Sequence, residues 1–561
     1  MKWWQKENIY QIYLRSFNDS NHDGIGDLRG VEQKLDYLKD LGVDILWISP
    51  HYDSPMDDNG YDVRDFYQVS SDYGTIESFQ SLIRKAHEKD MKIVTDLVLN
   101  HTSDEHPWFL AAKDPNHPQH QKYHDYYIWQ KGKTDSSGKR IRPTRWIGWF
   151  GSPAWDYNEA TDEYYLHIFS KKMPDLNWRN ESLRNDIKSM ISWWLDLGID
   201  GFRVDASNHL EKNWNFPDSF PGYENFSSIP KHHEYLRELG NDIFSKRDAM
   251  TIGESGGASK EEALQYAGYG SNEFNMLIQF GHCWADVDNH HPLLMGKWAQ
   301  GQLHVSTIKQ SFQHWYDMLS DKGWKVIYWH NHDQPRVLSH YGSEQHREKS
   351  GKMLAISLYM MSGTAICYQG EEIGMTNVKY NSLSQFRDVE VFTEYQNMLD
   401  KNMSKEESLE VIKARCRDNA RTPMQWNDSQ YAGFSDHYPW IDVNSDYDQV
   451  NVSFQQKNPN SIYQTYKWVL HYRKEHEDVF NGNVKFIHVH DDVSYAYLNR
   501  GKKEEHLVLC NFTDHEIQLN LSEINLKGFE CIYSNTDRYV ELQETLSLEG
   551  YDALVFYRKI G

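Results

Sequence analysis

Eight short apolar runs, most followed by a stretch of helical periodicity, predict an α/β chain built as a (β/α)8 TIM barrel. Two breaks in that rhythm refine the prediction. Residues 102–172 interrupt the third unit and predict a small inserted domain, domain B. From residue 480 onward the pattern turns to short alternating strands, which predicts a C-terminal antiparallel β-sandwich domain over 480–561. The barrel then comprises 1–101 and 173–479, with an irregular charged insertion over 371–430.

Taken in order, "NIYQIYLRSF" (8–17) reads as the first strand. Asp19, Asn21, Asp23, Ile25 and Asp27 follow, with Gly24 at the turn. Oxygen-bearing side chains alternate there in the ligand order of a calcium loop, the Ile25 carbonyl adding one more ligand. A structural Ca2+ is expected, with Mg2+ as the other candidate. An EF-hand would carry a Glu at the twelfth position, where Gly30 stands, so no calcium sensor is expected. "VDILWISP" is the second strand, and the loop Asp57–Asp62 follows it. "MKIVTDLVLNH" is the third, ending in Asp96, Asn100 and His101.

Past domain B, "LRNDIKSMISWWLDLG" is a helix and "IDGFRVD" the fourth strand. Arg203 and Asp205 fall on one face of it, because strand side chains alternate with period 2. A cation so placed lowers a carboxylate pKa, so Arg203 is expected to keep Asp205 ionised. The fifth strand, "AMTIGE", ends in Glu254; the sixth lies near "EFNMLIQF". The seventh, "WKVIYWHNHD", ends in His332 and Asp333, and the eighth is "GTAICYQGEEIG". Polar groups thus gather at the C-terminal ends of strands, where such barrels keep their active sites.

Composition sets outer limits. The chain has 561 residues and a formal charge of -23, which argues against nucleic acid and anionic membranes as partners. No apolar run is long enough to span a bilayer, and the N-terminus lacks a signal-peptide pattern. Five Cys without CxxC spacing read as free thiols of a cytoplasmic protein. The 20 Trp and 36 Tyr suit a protein that stacks flat sugar faces.

Asp205, Glu254 and Asp333 are three acids at three strand ends. Two carboxylates facing one bond are what glycoside hydrolysis needs; in a retaining enzyme they stand about 5–5.5 Å apart. Asp205 is the better nucleophile because Arg203 favours its charge. Glu254 has no cation beside it in sequence and is the better acid, its pKa open to being raised by an apolar wall.

"DLVLNH", "GFRVD", "TIGE" and "HNHD" resemble, in order, the four signature regions of the α-amylase family, glycoside hydrolase family 13. "MPDLNW" (173–178) and "ARTPMQW" (420–426) are similar to motifs of its oligo-1,6-glucosidase and α-glucosidase group, with Met173 in place of Gln. The resemblance implies Asp205 as nucleophile, Glu254 as general acid/base and Asp333 as a third acid gripping substrate hydroxyls. It further implies that His101 and His332 bind the same sugar ring, that Arg203 orients Asp205 and that Tyr61 stacks on the ring. Asp58 and Arg417 would close the pocket at the non-reducing end, with Arg421 as the weaker alternative. The implied substrates are short α-glucosides, with no organic cofactor; transfer to a second sugar is left open.

For linkage, the position after the nucleophile is typically Val in relatives preferring α-1,6 bonds, and Ala or Thr in those accepting α-1,4. Ala206 therefore leads to an expected preference for maltose-type substrates. An oligo-1,6-glucosidase is the alternative. A trehalose-6-phosphate hydrolase is a weaker one, since "GHCWADVDNH" lacks the Lys expected to meet a phosphate. A catalytically inactive transporter subunit is the non-enzyme alternative; the three acids and the missing span argue against it.

Overall fold

The computed structural model describes residues 2–536, 538 and 540–560. Eight parallel strands form one sheet: β1 (Asn8–Ile12), β2 (Ile45–Ile48), β3 (Lys92–Val98), β4 (Gly201–Asp205), β5 (Met250–Glu254), β6 (Met276–Ile278), β7 (Val326–Ile327) and β8 (Thr364–Tyr368). They pair in the order β6–β5–β4–β3–β2–β1–β8–β7, a near-closed barrel. Ile9, Ile45, Trp47, Val94, Ile252 and Ile366 fill its interior. Burying each such side chain stabilises by roughly 1.5–3 kcal/mol. Phe202 and Val204 alternate outward into the cluster formed with the surrounding helices, so Arg203 and Asp205 face in. Gly201 opens β4 because a Cβ there would stand 2.0 Å from the Met250 carbonyl oxygen of β5.

Three expected elements differ in extent. β1 stops at Ile12, because the chain curls into a 3₁₀ turn at Leu14–Ser16, with Ser16 and Phe17 N–H groups bonding back to Tyr13 and Leu14. β7 is only Val326–Ile327; beyond it Asn331 accepts the Asp333 N–H at 2.8 Å, a local turn instead of a ladder bond. The segment 371–430 is not irregular throughout. It holds helices Val389–Asp400, Lys405–Arg415 and Asp418–Arg421. Its charged surface hid a buried stripe, in which Val391, Met398 and Ile412 pack with Leu294 and Trp298.

Between β3 and the helix Glu181–Leu197 lies a small antiparallel sheet of Trp129–Gln130, Trp155–Asn158 and Glu163–Leu166. At the C-terminus follow β9 (Asn483–Ile487), β10 (Ser494–Arg500), β11 (Glu504–Asn511), β12 (Ile517–Asn520), β13 (Glu530–Ser534), β14 (Thr545–Leu548) and β15 (Ala553–Lys559). A five-stranded sheet, β9–β10–β11–β15–β13, faces the pair β12–β14. Leu507, Leu509 and Phe556 meet Leu519, Leu546 and Leu548 between them. All five cysteines are free; Cys531 is half-buried and the others are buried. No helix among the described residues is long and apolar enough to cross a membrane.

Candidate active site

Strand alternation carries Asp96, Arg203, Asp205 and Glu254 inward from three neighbouring strands, where Arg203 becomes their hub. Its Nη1 stands 2.8 Å from Asp205 Oδ1 and also pairs with Asp96, while Nη2 pairs with Glu254. Trp47 Nε1 donates to the other Asp96 oxygen at 2.8 Å. The Ala206 N–H donates to Glu254 Oε2 at 3.1 Å. One buried guanidinium thus spans the carboxylates of Asp205 and Glu254.

This arrangement corrects two expectations. Glu254 is not free of cations, because β5 lies beside β4 and brings it to the Arg203 fork. Nor does Arg203 hold the Asp205 pKa down. Burial pushes that carboxyl well above its ordinary value against the pull of Arg203, with Glu254, Asp96 and Asp333 adding to the rise.

Asp333 sits across the cleft, part-exposed to it. Arg421 Nη2 reaches its Oδ1 at 2.9 Å, Arg417 Nη1 at 3.6 Å, and His332 Nε2 lies 3.2 Å from Oδ2. Burial works to raise this carboxyl, yet His332, Arg421 and Arg417 hold it well below the usual carboxylate range. Burial itself pushes His332 down to about 3, so at neutral pH the imidazole is uncharged and the arginines supply the pull. Tyr61 lies flat against His332, with ring centroids 5.3 Å apart and planes 6° apart, and its hydroxyl bonds Nε2 at 2.7 Å. His101 is buried, with burial lowering its pKa to about 4, and its Nε2 has no hydrogen-bond partner.

Arg417 bonds Asp58 Oδ1 at 2.9 Å, whereas Arg421 Nη1 stands 4.0 Å from it, so Arg417 makes the closer pair. Asp62 holds the loop by accepting the N–H groups of Asp57 and Asp58 at 2.8 and 3.0 Å. Ala206, just past the Asp205 carboxylate, takes left-handed φ 45° and ψ 39°. Asp58, Tyr61, His101, Asp205, Ala206, Glu254, His332, Asp333 and Arg417, with Phe150 and Phe169 of domain B, line one cleft of about 790 Å3.

Sequence reasoning missed several members of this wall. Asp388 bonds Arg417 Nε at 2.9 Å, and Glu390 lies 3.6 Å from the same atom. Phe150 stacks under the Arg417 guanidinium at 4.7 Å. Phe169 meets His101 edge-on at 5.2 Å. No spacing signal marked them, since each comes from an insertion whose fold was not legible.

None of the Asp19–Asp27 loop residues lines the cleft. Asp19 accepts the N–H groups of Asn21, His22 and Gly24 at 3.0, 2.8 and 2.9 Å. Asp23 accepts from Asn21 Nδ2 at 2.9 Å and from the Ile25 N–H at 2.8 Å. Asp27 caps the helix Leu28–Gln33 through the Gly30 N–H. Among the described residues no three His, Cys, Asp or Glu side chains gather as a metal shell. In this arrangement the loop carboxylates accept from N–H groups of the loop and from the Ser20, Asn21 and Ser435 side chains, and no step is routed through a metal.

The catalytic-domain model of the α-amylase family matches residues 11–482. The chain belongs to the α-amylase family. This α-amylase family chain is 43% identical over 568 residues to the oligo-1,6-glucosidase of Bacillus cereus, covering 100% of both. It is 38% identical over 566 residues to the α-glucosidase of Pediococcus pentosaceus, covering 99% of both. The solved trehalose-6-phosphate hydrolase of Bacillus licheniformis matches it with TM-score 0.92 and 37% identity, over 99% of this chain and 100% of that one. The protein is therefore a glycoside hydrolase, similar over its full length to oligo-1,6-glucosidases and an α-glucosidase.

Proposed function

We propose that this enzyme is a retaining, exo-acting α-glucosidase that removes glucose from the non-reducing end of short α-1,6-linked oligosaccharides. The observation that carries the mechanism is the Arg203 fork shared by Asp205 and Glu254. Asp205 is the nucleophile and attacks the anomeric carbon; Glu254 donates its proton to the leaving oxygen. Water then attacks the glucosyl ester, with Glu254 taking the proton back. Asp333 grips ring hydroxyls together with His101 and His332, and these bonds strengthen as positive charge develops on the ring. Tyr61 forms the floor against the sugar face. The Asp58–Arg417 pair closes the end beyond that ring, so one glucose leaves at a time. A sugar hydroxyl replacing the water would give transglucosylation.

The α-1,6 reading departs from the preference expected from Ala206. Its support is the full-length likeness to an oligo-1,6-glucosidase at 43% identity. The α-1,4 reading keeps one specific observation, the small Ala206 side chain lining the cleft beside the acids. Phosphorylated disaccharides fit less well. Of the two lysines at the cleft, Lys297 is paired with Glu390 and Lys401 bonds the Leu293 carbonyl, while Glu394 and Asp400 add negative charge to the lining. Incubation with isomaltose, maltose and trehalose 6-phosphate, with products followed by NMR, tests the whole reading. Isomaltose should be cleaved best, with α-glucose appearing first. Early β-glucose would overturn retention, and a preference for maltose would return the linkage to α-1,4.

A further inference from the structure

We infer that Ser16 and Trp440 are positioning residues for Asp333, a bracket outside the cleft that fixes the arginine holding this carboxylate. The inference rests on the reading of Asp333 as a substrate-gripping acid. The Ser16 hydroxyl, buried, donates to the Arg421 carbonyl at 2.6 Å and accepts the Trp440 indole N–H at 2.9 Å. The Ser16 carbonyl accepts the Met424 N–H at 2.8 Å. Arg421 is thus tied at its own backbone and again three residues later. Its side chain then sends Nη2 to Asp333 Oδ1 at 2.9 Å and Nε to the His332 carbonyl at 3.1 Å.

Trp440 is itself anchored. Its N–H donates to the Gly24 carbonyl at 3.0 Å, and its ring lies 4.9 Å from the Arg15 guanidinium carbon. Between Trp440 and the site stands Tyr13, with its ring 6.4 Å from the indole and stacked on His332 at 5.9 Å. The Arg421 guanidinium lies over the same Tyr13 ring at 5.5 Å. Two of the three groups around Asp333, Arg421 and His332, therefore lean on one bracket from the loop after β1 and the segment 434–442, while Arg417 is held separately by Asp58 and Asp388. A serine hydroxyl suits the joint because it donates one proton and still accepts another. Alanine would leave a buried carbonyl and a half-buried indole N–H each without this partner. The guanidinium fork is planar and rigid, so a backbone shift at Arg421 passes directly to Asp333.

The test compares Ser16→Ala and Trp440→Phe with Leu519→Ala, a core change in the C-terminal sandwich. Three quantities are measured well below each melting temperature: kcat and KM for isomaltose and maltose, affinity for the glucose-shaped iminosugar 1-deoxynojirimycin, and Tm. Wild type must bind the iminosugar and cleave a disaccharide; failure there sinks the glucosidase reading itself. With that established, Ser16→Ala should lose roughly three- to tenfold in kcat/KM and in iminosugar affinity, the scale of one hydrogen bond. Trp440→Phe should lose less in the same direction, and it carries the test alone should Ser16→Ala not fold. Leu519→Ala should lower Tm and leave both binding and turnover in place. If the bracket variants lower Tm alone, as Leu519→Ala does, the positioning role is wrong.

Discussion

At the residue scale the enzyme is a contest over one guanidinium. Arg203 is fully buried and faces Asp96, Asp205 and Glu254. Removing it would leave three buried acids without their cation, and breaking such a pair costs about 3–5 kcal/mol. The opposite change should be benign for the fold. Asp205→Asn removes a carboxylate that burial and its acidic neighbours disfavour. We expect Asp205→Asn and Glu254→Gln to lose nearly all turnover, on the order of a thousandfold or more, while Asp205→Asn keeps or raises Tm. Azide should partly restore an Asp205→Gly variant by standing in for the nucleophile. Kinetics beside thermal melts check this; a large Tm loss in Asp205→Asn would contradict the crowding argument. The Arg203–Asp205 pairing was legible, being two residues apart on one strand. The Arg203–Glu254 pairing was not, because 51 residues separate those positions and only the neighbouring of β4 and β5 joins them.

At the scale of elements, two turns next to strand ends carry predictions. Ala206 is non-glycine at φ 45°, a conformation that disfavours β-branched side chains. Ala206→Val should therefore cost about 1–3 kcal/mol of stability. It should also lower the maltose-to-isomaltose ratio of kcat/KM by about 1–3 kcal/mol, since the added methyls crowd an α-1,4 aglycone more than the longer α-1,6 arm. An unchanged ratio would remove Ala206 from the linkage question. The loop Asp19–Asp27 carries the cation proposal. Addition of Ca2+ or Mg2+ to chelator-treated enzyme should raise Tm, with turnover of the folded enzyme changing less, because an ion binding only the folded state stabilises it by mass action. Melting curves that ignore both ions would retire that proposal and leave the loop as a turn held by its own amides. The oxygen spacing there was plain in the sequence. That the oxygens bond backbone N–H groups was not, since spacing says nothing of where side chains turn.

For the molecule as a whole, buried histidines set the acid limit. Burial lowers His51, His106, His209, His282, His332 and His506 to about 3, and His101 to about 4. An unfolded chain protonates these groups near their ordinary value of about 6.5. Below that pH the unfolded state binds more protons, so their stabilisation, full above 6.5, drains as pH falls toward 3–4. Each histidine contributes a slope of roughly 1.4 kcal/mol per pH unit in that window. Asp62, Asp96 and Asp418 oppose it: burial raises them to about 6, so their contribution is lost as pH rises through that value. Asp333, Asp388 and Glu262, held low by the cations and hydrogen bonds around them, add to the histidines' loss on acidification, and Tm should fall below pH 6. A Tm independent of pH between 7 and 4 would show these imidazoles to be solvated.

Much of the design is written locally. Period-2 alternation in "GFRVD" and "AMTIGE" sets which side chains face inward, whatever the rest of the chain does. Apolar runs alternating with helical stretches, eight times over, leave few architectures that bury both faces of a parallel sheet. Hence the barrel, the three acids and the family were legible before any coordinates. Tertiary structure decided the rest. Whether Asp205 is ionised depends on every charge within a few ångströms, and those come from Asp96, Glu254 and Asp333 on other strands. The Arg417 wall depends on Asp388 and Glu390, brought in by a helix that reads as a charged loop. The physical reason is range: strand and helix periodicity is a nearest-neighbour property of the chain. Desolvation and Coulomb interaction act through space, between groups that only the closed barrel makes neighbours.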